Sequence, residues 1–155
     1  MRFLLYDRVL DLEPARRMVA TKAISIGDEF LPEHYSRCPL MPATLVLESL
    51  AQVAGWLYMA TEGFSIHAVL VMLEGAEVKR HPRPGDTLTL EVSLEFRHRG
   101  GATLCGEARD SAGLFVRVKR LVFASVELTD PRDVRQAKEL FSYLSGGFHL
   151  NGARP

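Results

Sequence analysis

Apolar and polar residues alternate along TLTLEVSLEFRHR (87–99). Leu88, Leu90, Val92, Leu94 and Phe96 fall on one face, and Thr87, Thr89, Glu91, Ser93, Glu95 and Arg97 on the other. A period of two predicts a strand with one face against a core. Gly100-Gly101 is a hairpin signal. It leads into ATLCGEARD (102–110), a turn at Ser111–Gly113, and LFVRVKRLVFASVEL (114–128). Upstream, HAVLVMLEGAEVKR (67–80) is rich in β-branched residues and ends before the turn Arg83-Pro84-Gly85-Asp86. Residues 3–12 and 16–25 read as extended segments around Glu13-Pro14. These are long antiparallel strands joined by short turns.

The pattern changes at residues 43–61, which read as one helix. Apolar residues go all the way round it, which predicts burial on every side, and Pro42 suits the first helical position. Residues 26–42, with Gly27, Pro32, Pro39 and Pro42, predict a loop. Asp130-Pro131 predicts the start of a last helix. Val134, Ala137, Leu140, Phe141 and Leu144 recur at helical spacing, Gly146-Gly147 ends it, and the tail from Phe148 to Pro155 reads as loosely ordered. The plan is α+β: one long central helix wrapped by a curved antiparallel sheet, plus a C-terminal helix. Residues 1–128 make the main unit, and 129–155 add a helix and tail to the same domain.

Composition narrows the function classes. A chain of 155 residues fits one domain, and its 47% apolar and 25% charged content is ordinary for a soluble globular protein. Zero net charge and the lack of a basic run argue against nucleic acid as a partner. Cys38 and Cys105 have no metal-site spacing and make no disulfide framework, so a reducing cytoplasm is the expected compartment. The N-terminus reaches Asp7 too soon for a signal peptide. The apolar run from Pro39 to Ala60 approaches membrane-spanning length, but Pro42, Glu48, Gln52 and Gly55 favour a buried core helix over a membrane segment.

Glu48 is the only charged side chain between Met41 and Thr61. Burying a carboxylate on such a helix is costly unless it is protonated or paired, and burial would raise its pKa. Gln52 lies one turn further on the same face. His34 precedes Glu48 by fourteen residues, in a loop bounded by prolines. The residue types raise the question of an acid/base pair. Other chemistry finds little support. There is no GxSxG, no glycine-rich phosphate loop and no zinc spacing among the histidines. Cys38 lies near His34 but lacks an oxyanion motif. By themselves Lys79, Arg80, His81 and Arg83 read as a solvated strand end.

The stretch HYSRCPLMPATLVLESLAQ (34–52) resembles the signature of the β-hydroxyacyl-(acyl-carrier-protein) dehydratases of FabZ/FabA type, roughly HFPGxPxMPGxLxxEALAQ. His34, Pro39, Met41, Pro42, Leu45, Glu48, Leu50, Ala51 and Gln52 match without a gap. FLLYDRVLDLEPARRMVATKAIS is similar to the family's LLVDRVLxLEPGxxIVAxKxVT, and VKRHPRPGDTLTLEVSL to its RRPVxPGDxLxLEVxL. GEARDSAGLFV is a weaker match to a GxAxVDGxxV strand pair, so the likeness covers about residues 3–127. The resemblance implies a hot-dog fold and a homodimer, or a hexamer, with active sites at the subunit interface. It implies His34 as base and Glu48 as acid in dehydrating a β-hydroxyacyl thioester to the trans-2-enoyl thioester, in fatty-acid or related acyl biosynthesis. Met41, Ala43 and Gln52 would contact substrate or the thioester oxyanion. The acyl chain would lie in an apolar tunnel beside the helix, and no metal, nucleotide or flavin is needed. Because carrier proteins are acidic, Lys79, Arg80, Arg83, Arg97 and Arg99 become docking candidates.

The departures are local. Glu33 stands where the family has glycine, Tyr35-Ser36-Arg37 replaces Phe-Pro-Gly, and Ala43 replaces the glycine after Met-Pro. Glu33 and Arg37 set charges beside His34, and Ala43 adds a methyl where the thioester would approach. They suggest a divergent member. An acyl thioesterase on the same fold, or a non-catalytic acyl-carrier-binding partner subunit, are the competing expectations.

Overall fold

The period-two segment folds as expected, and its first half builds the core. In the computed structural model, which describes residues 4–33 (less the side chains of Pro32 and Glu33) and 38–146, Leu88, Leu90 and Val92 are fully buried. The element order is β1 (Arg8–Glu13), β2 (Arg17–Ala23), α1 (Phe30–Glu33), α2 (Ala43–Thr61), β3 (Ile66–Val78), β4 (Thr87–His98), β5 (Gly101–Asp110), β6 (Gly113–Glu127) and α3 (Pro131–Leu144). Six strands form one antiparallel sheet in the order β1-β2-β4-β5-β6-β3.

Five of these strands, β2 to β6, touch α2. Val46, Leu50, Val53, Ala54 and Leu57 of α2 are fully buried, with Leu88, Leu90, Ala102, Leu104 and Leu121 of the sheet in the same core. A row of apolar side chains on the helix therefore meets the inward face of each strand, and this burial is the main stabilising term. α2 is the one described helix long and apolar enough to cross a membrane, and it serves instead as the core of the sheet.

The structure corrects three expectations. First, α2 is not buried on every side: Thr44 and Glu48 are exposed, and Ala43, Leu45, Leu47, Gln52 and Trp56 are half-buried. The sheet covers one side of the helix only, so a flank is left open. Second, Pro42 is the N-cap of α2, with an extended ψ of 142°, rather than its first helical residue. Third, Phe96 does not share the inner face with Leu88, Leu90 and Val92. The register with β5 shifts between Leu94 and Phe96, and Phe96 is 63% exposed. A bulge adds one residue and turns every later side chain to the opposite face. The tail expected from Phe148 to Pro155 lies outside the described residues.

The β1–β2 turn carries strain. Arg16 N–H donates to the Glu13 carbonyl (3.0 Å), and Ala15 sits at φ +62°. Proline at the second position and a positive φ at the third are the pattern of a type II turn, where glycine is favoured. The Ala15 N–H donates to the Thr61 hydroxyl at the end of α2 (2.9 Å), which holds the turn against the helix. Relieving the strain should stabilise the protein. Ala15→Gly is expected to add about 0.5–1 kcal/mol, seen as a higher denaturant midpoint with an unchanged slope.

Candidate active site

The chain enters α2 along a fixed path. Met41 is fully buried, its N–H donates to the Pro82 carbonyl (2.9 Å), and its own carbonyl meets His81 Nδ1 (3.4 Å). The loop before β4 thus clamps the residues that precede the helix. Pro42 offers no side-chain cap, and the first turn holds no acidic residue. Among the described residues the amides of Ala43 and Thr44 therefore start the helix without a side-chain acceptor, and its positive dipole end is unopposed by any first-turn carboxylate.

Glu48 lies on the open flank of α2 and is held by a two-step link. Leu5 N–H donates to Gln52 Oε1 (3.0 Å), and Gln52 Nε2 donates to Glu48 Oε1 (3.0 Å). The first bond fixes which end of the Gln52 amide faces Glu48, because an oxygen must accept from Leu5. Gln52 is therefore a positioning residue for the carboxylate. Among the described residues nothing supplies the burial expected for Glu48, since the sheet leaves this flank uncovered.

Glu48 and Gln52 open into a cleft of about 620 Å³. Ala51, Gly55, Trp56 and Met59 of α2 line it with Ala68 and Leu70 of β3, Phe123 of β6, and Ala137 and Leu140 of α3. Leu4, His67, Leu128, Asp133 and Gln136 complete the wall. A carboxylate beside an apolar cleft of this size can act on a substrate with a long apolar part. Among the described residues no cluster of His, Cys, Asp or Glu could hold a metal ion.

The structure brings together only part of the residue set expected from sequence. Glu48 and Gln52 share the cleft, and Met41 and Ala43 sit at the start of the same helix. His34, with Tyr35, Ser36 and Arg37, lies outside the described residues. The basic residues split into two groups. Lys79, Arg80 and Arg83 lie beside the start of α2, whereas Arg97 and Arg99 lie at the other end of β4, roughly 35 Å away along the strand. Arg97 pairs with Glu62 (3.2 Å). Arg80 is committed internally: its guanidinium forks onto Asp110, whose side chain is 3% exposed, and stacks over the Phe115 ring (4.6 Å). Cys38 is exposed, and burial, with Glu95 adding to it, pushes the Cys105 thiol up to about 11, which leaves it a poor nucleophile.

Sequence reasoning missed Trp56, His67, Asp133 and Gln136. Trp56 was findable, since Glu48, Gln52 and Trp56 follow at intervals of four on one helix face. Asp133 and Gln136 were not, because nothing in α3 says which part of the core it will cover.

A single long helix wrapped by a six-stranded antiparallel sheet defines the hot-dog class. The chain belongs to the FabA-like domain family, whose model matches residues 1–113. It is 40% identical over 134 residues to the 3-hydroxyacyl-(acyl-carrier-protein) dehydratase FabZ of Chloroflexus aggregans, covering 83% of this chain and 88% of that one. The FabZ of Clostridioides difficile is 35% identical over 126 residues, covering 81% and 88%. Among solved structures, smu.793 of Streptococcus mutans, bound to acetyl CoA, superposes with a TM-score of 0.66 at 12% identity, over 84% of this chain and 95% of that one. A dehydratase heterocomplex, ApeI:P of Xenorhabdus doucetiae, gives 0.61 at 18% identity, over 86% and 88%. At such identities the solved structures show the fold alone.

The Arg80–Asp110 fork joins the end of β3 to the end of β5 beside the entry to α2. Arg80 holds the Asp110 carboxyl below the usual carboxylate range, so this stabilisation is present at neutral pH and is lost as pH falls through that lowered value. Arg80→Met leaves a buried carboxylate without its cation. Because Arg80 is itself about a third exposed, solvent screens the pair, so the change should cost about 1 kcal/mol at neutral pH, and the deficit against the parent should shrink in acid, as measured by urea unfolding across pH.

Proposed function

We propose that this protein dehydrates a β-hydroxyacyl thioester carried on acyl-carrier protein, giving the trans-2-enoyl thioester, in fatty-acid synthesis. The observation that carries the reading is Glu48, oriented by Gln52 and opening into an apolar cleft, on a chain of the FabA-like domain family. Neutral His34 removes the α-proton of the acyl chain. The electron pair left behind forms the new double bond as the β-carbon–oxygen bond breaks. Glu48 gives a proton to the departing hydroxyl, which leaves as water. Gln52 occupies Oε1 of Glu48, which leaves Oε2 to carry that proton. The amides at Ala43 and Thr44 meet the charge that develops on the thioester oxygen.

The site is completed by a second copy of the chain, whose His34 loop meets Glu48. β3 supports this reading. It is an edge of the sheet, thirteen residues long, and Val69, Leu70, Val71 and Met72 along it are exposed, Val71 by 60%. An apolar edge of this length is a template for pairing with another strand. Ala68 and Leu70 of the same strand line the cleft of Glu48, so a partner seated on β3 would also cover that carboxylate. Lys79 and Arg83 are exposed beside the start of α2 and, among the described residues, make no ion pair. They are the docking cations for the acidic carrier protein. Arg80 is held by Asp110, and Arg97 and Arg99 lie too far along β4 to share that patch.

Incubation with β-hydroxyacyl carrier protein, read by mass loss of water, tests the reaction. His34→Ala and Glu48→Gln should each remove enoyl product, while His67→Gln, at a histidine that lines the cleft, should keep most of it. Gln52→Leu should lower kcat about tenfold, the value of one hydrogen bond to a carboxylate. Release of free thiol without enoyl product would assign a thioester hydrolase instead. Turnover by Glu48→Gln at the parent rate would remove the acid assignment.

Val71→Lys tests the assembly. A charge on the exposed edge should convert a dimer to a monomer in sedimentation, with dehydration lost in parallel. A monomeric variant with full activity would show that one chain suffices.

A further inference from the structure

α3 is the element the reaction does not use. The family model ends at residue 113, and α3 begins at Pro131. Its start is well built: Pro131 occupies the first turn, and the Asp130 side chain accepts from Arg132 N–H (2.8 Å). Phe141 and Leu144 are buried, and Phe141 joins an aromatic cluster with Trp56 (5.5 Å between ring centroids) and Phe64 (5.3 Å). Ala137 and Leu140, on the same stripe, are half-buried and line the cleft that holds Glu48. The helix is thus anchored by one part of its apolar face while the rest forms a wall. Across from it, α2 contributes Glu48 through Met59, a run of about 16 Å at the rise of an α-helix. Gly55 adds room within that run, because it presents no side chain to Phe123 and Ala68.

We propose that α3 is the acyl-chain gauge of this enzyme, with Ala137 and Leu140 as the residues that set the chain length accepted. The inference rests on the dehydratase reading for the identity of the chain, since the cleft is continuous with Glu48. The small side chain at Ala137 leaves space that a longer acyl chain fills, and each methylene buried there adds affinity. A larger residue at 137 would remove that space without touching Glu48 or Gln52.

Two readouts separate this proposal from the reading it rests on. The first is turnover on β-hydroxyacyl carrier proteins of increasing chain length. Ala137→Phe should lower kcat/KM for the longest accepted chain on the order of tenfold, the value of about two buried methylenes, and leave the shortest chain within about twofold. Ala137→Leu should give a smaller shift in the same direction, and an unchanged melting curve confirms folding of each variant. The second readout needs no turnover. Trp56 is the chain's single tryptophan and lies in the cleft. Terminally brominated acyl-pantetheine thioethers should quench its fluorescence, more weakly in Ala137→Phe as the chain lengthens. Normal dehydration with a chain-length profile identical in both variants overturns the role of α3 and leaves the dehydratase reading standing. Length-dependent quenching that shifts with residue 137, but no dehydration of any chain, supports the gauge and overturns the dehydratase reading. Neither quenching nor dehydration overturns both.

Discussion

Everything in this protein is arranged around one constraint: an apolar helix of nineteen residues must be removed from water. No single strand can cover it. Five strands curve against α2, and their inward residues, from Leu88 and Leu90 to Leu104 and Leu121, meet Val46, Leu50, Val53 and Leu57. Because a sheet covers only one side of a helix, the other flank must be left open or covered by something else. That remainder is where α3, the N-terminal segment and the site lie. Glu48 can stand on an otherwise apolar helix because it stands on this flank. The sheet ends on β3, whose apolar edge adjoins the same flank. A partner subunit seated there would settle both the edge and the carboxylate at once.

Polar order at the site is sparse and directional. A backbone amide at Leu5 sets Gln52, and Gln52 sets Glu48. Met41 is fixed on both sides by Pro82 and His81, which fixes where the helix dipole begins. Rigid placement of this kind lowers the cost of ordering groups at the moment of reaction. The Arg80–Asp110 fork belongs to the same support, since it ties the strand ends next to that entry.

Much of this was legible in the sequence. The central helix ran from 43 to 61 as read, and the strand pattern at 87–99 placed Leu88, Leu90 and Val92 in the core. The His34–Gln52 motif led to the family to which the chain belongs. The failures have physical causes. Phe96 left the inner face because a bulge needs only one residue and carries no reliable local signature. Composition of α2 predicted burial all round because hydrophobicity does not say which neighbour covers a face; Leu47 and Trp56 are apolar yet half-buried. Arg80 looked like a surface cation because its partner Asp110 is thirty residues away on another strand. The amphipathic stripe of α3 was visible, but its place along the cleft depends on the aromatic contact of Phe141 with Trp56 and Phe64, which only the fold brings together.

In the proposed dehydratase, one catalytic centre combines His34 of one subunit with Glu48 of another. Mixing two inactive variants, His34→Ala and Glu48→Gln, after joint unfolding and refolding tests it directly. Random pairing makes half of the dimers mixed, and each mixed dimer holds one site with both residues intact. Dehydration should therefore return to about a quarter of the parent rate. A mixture as inactive as either variant alone would contradict it.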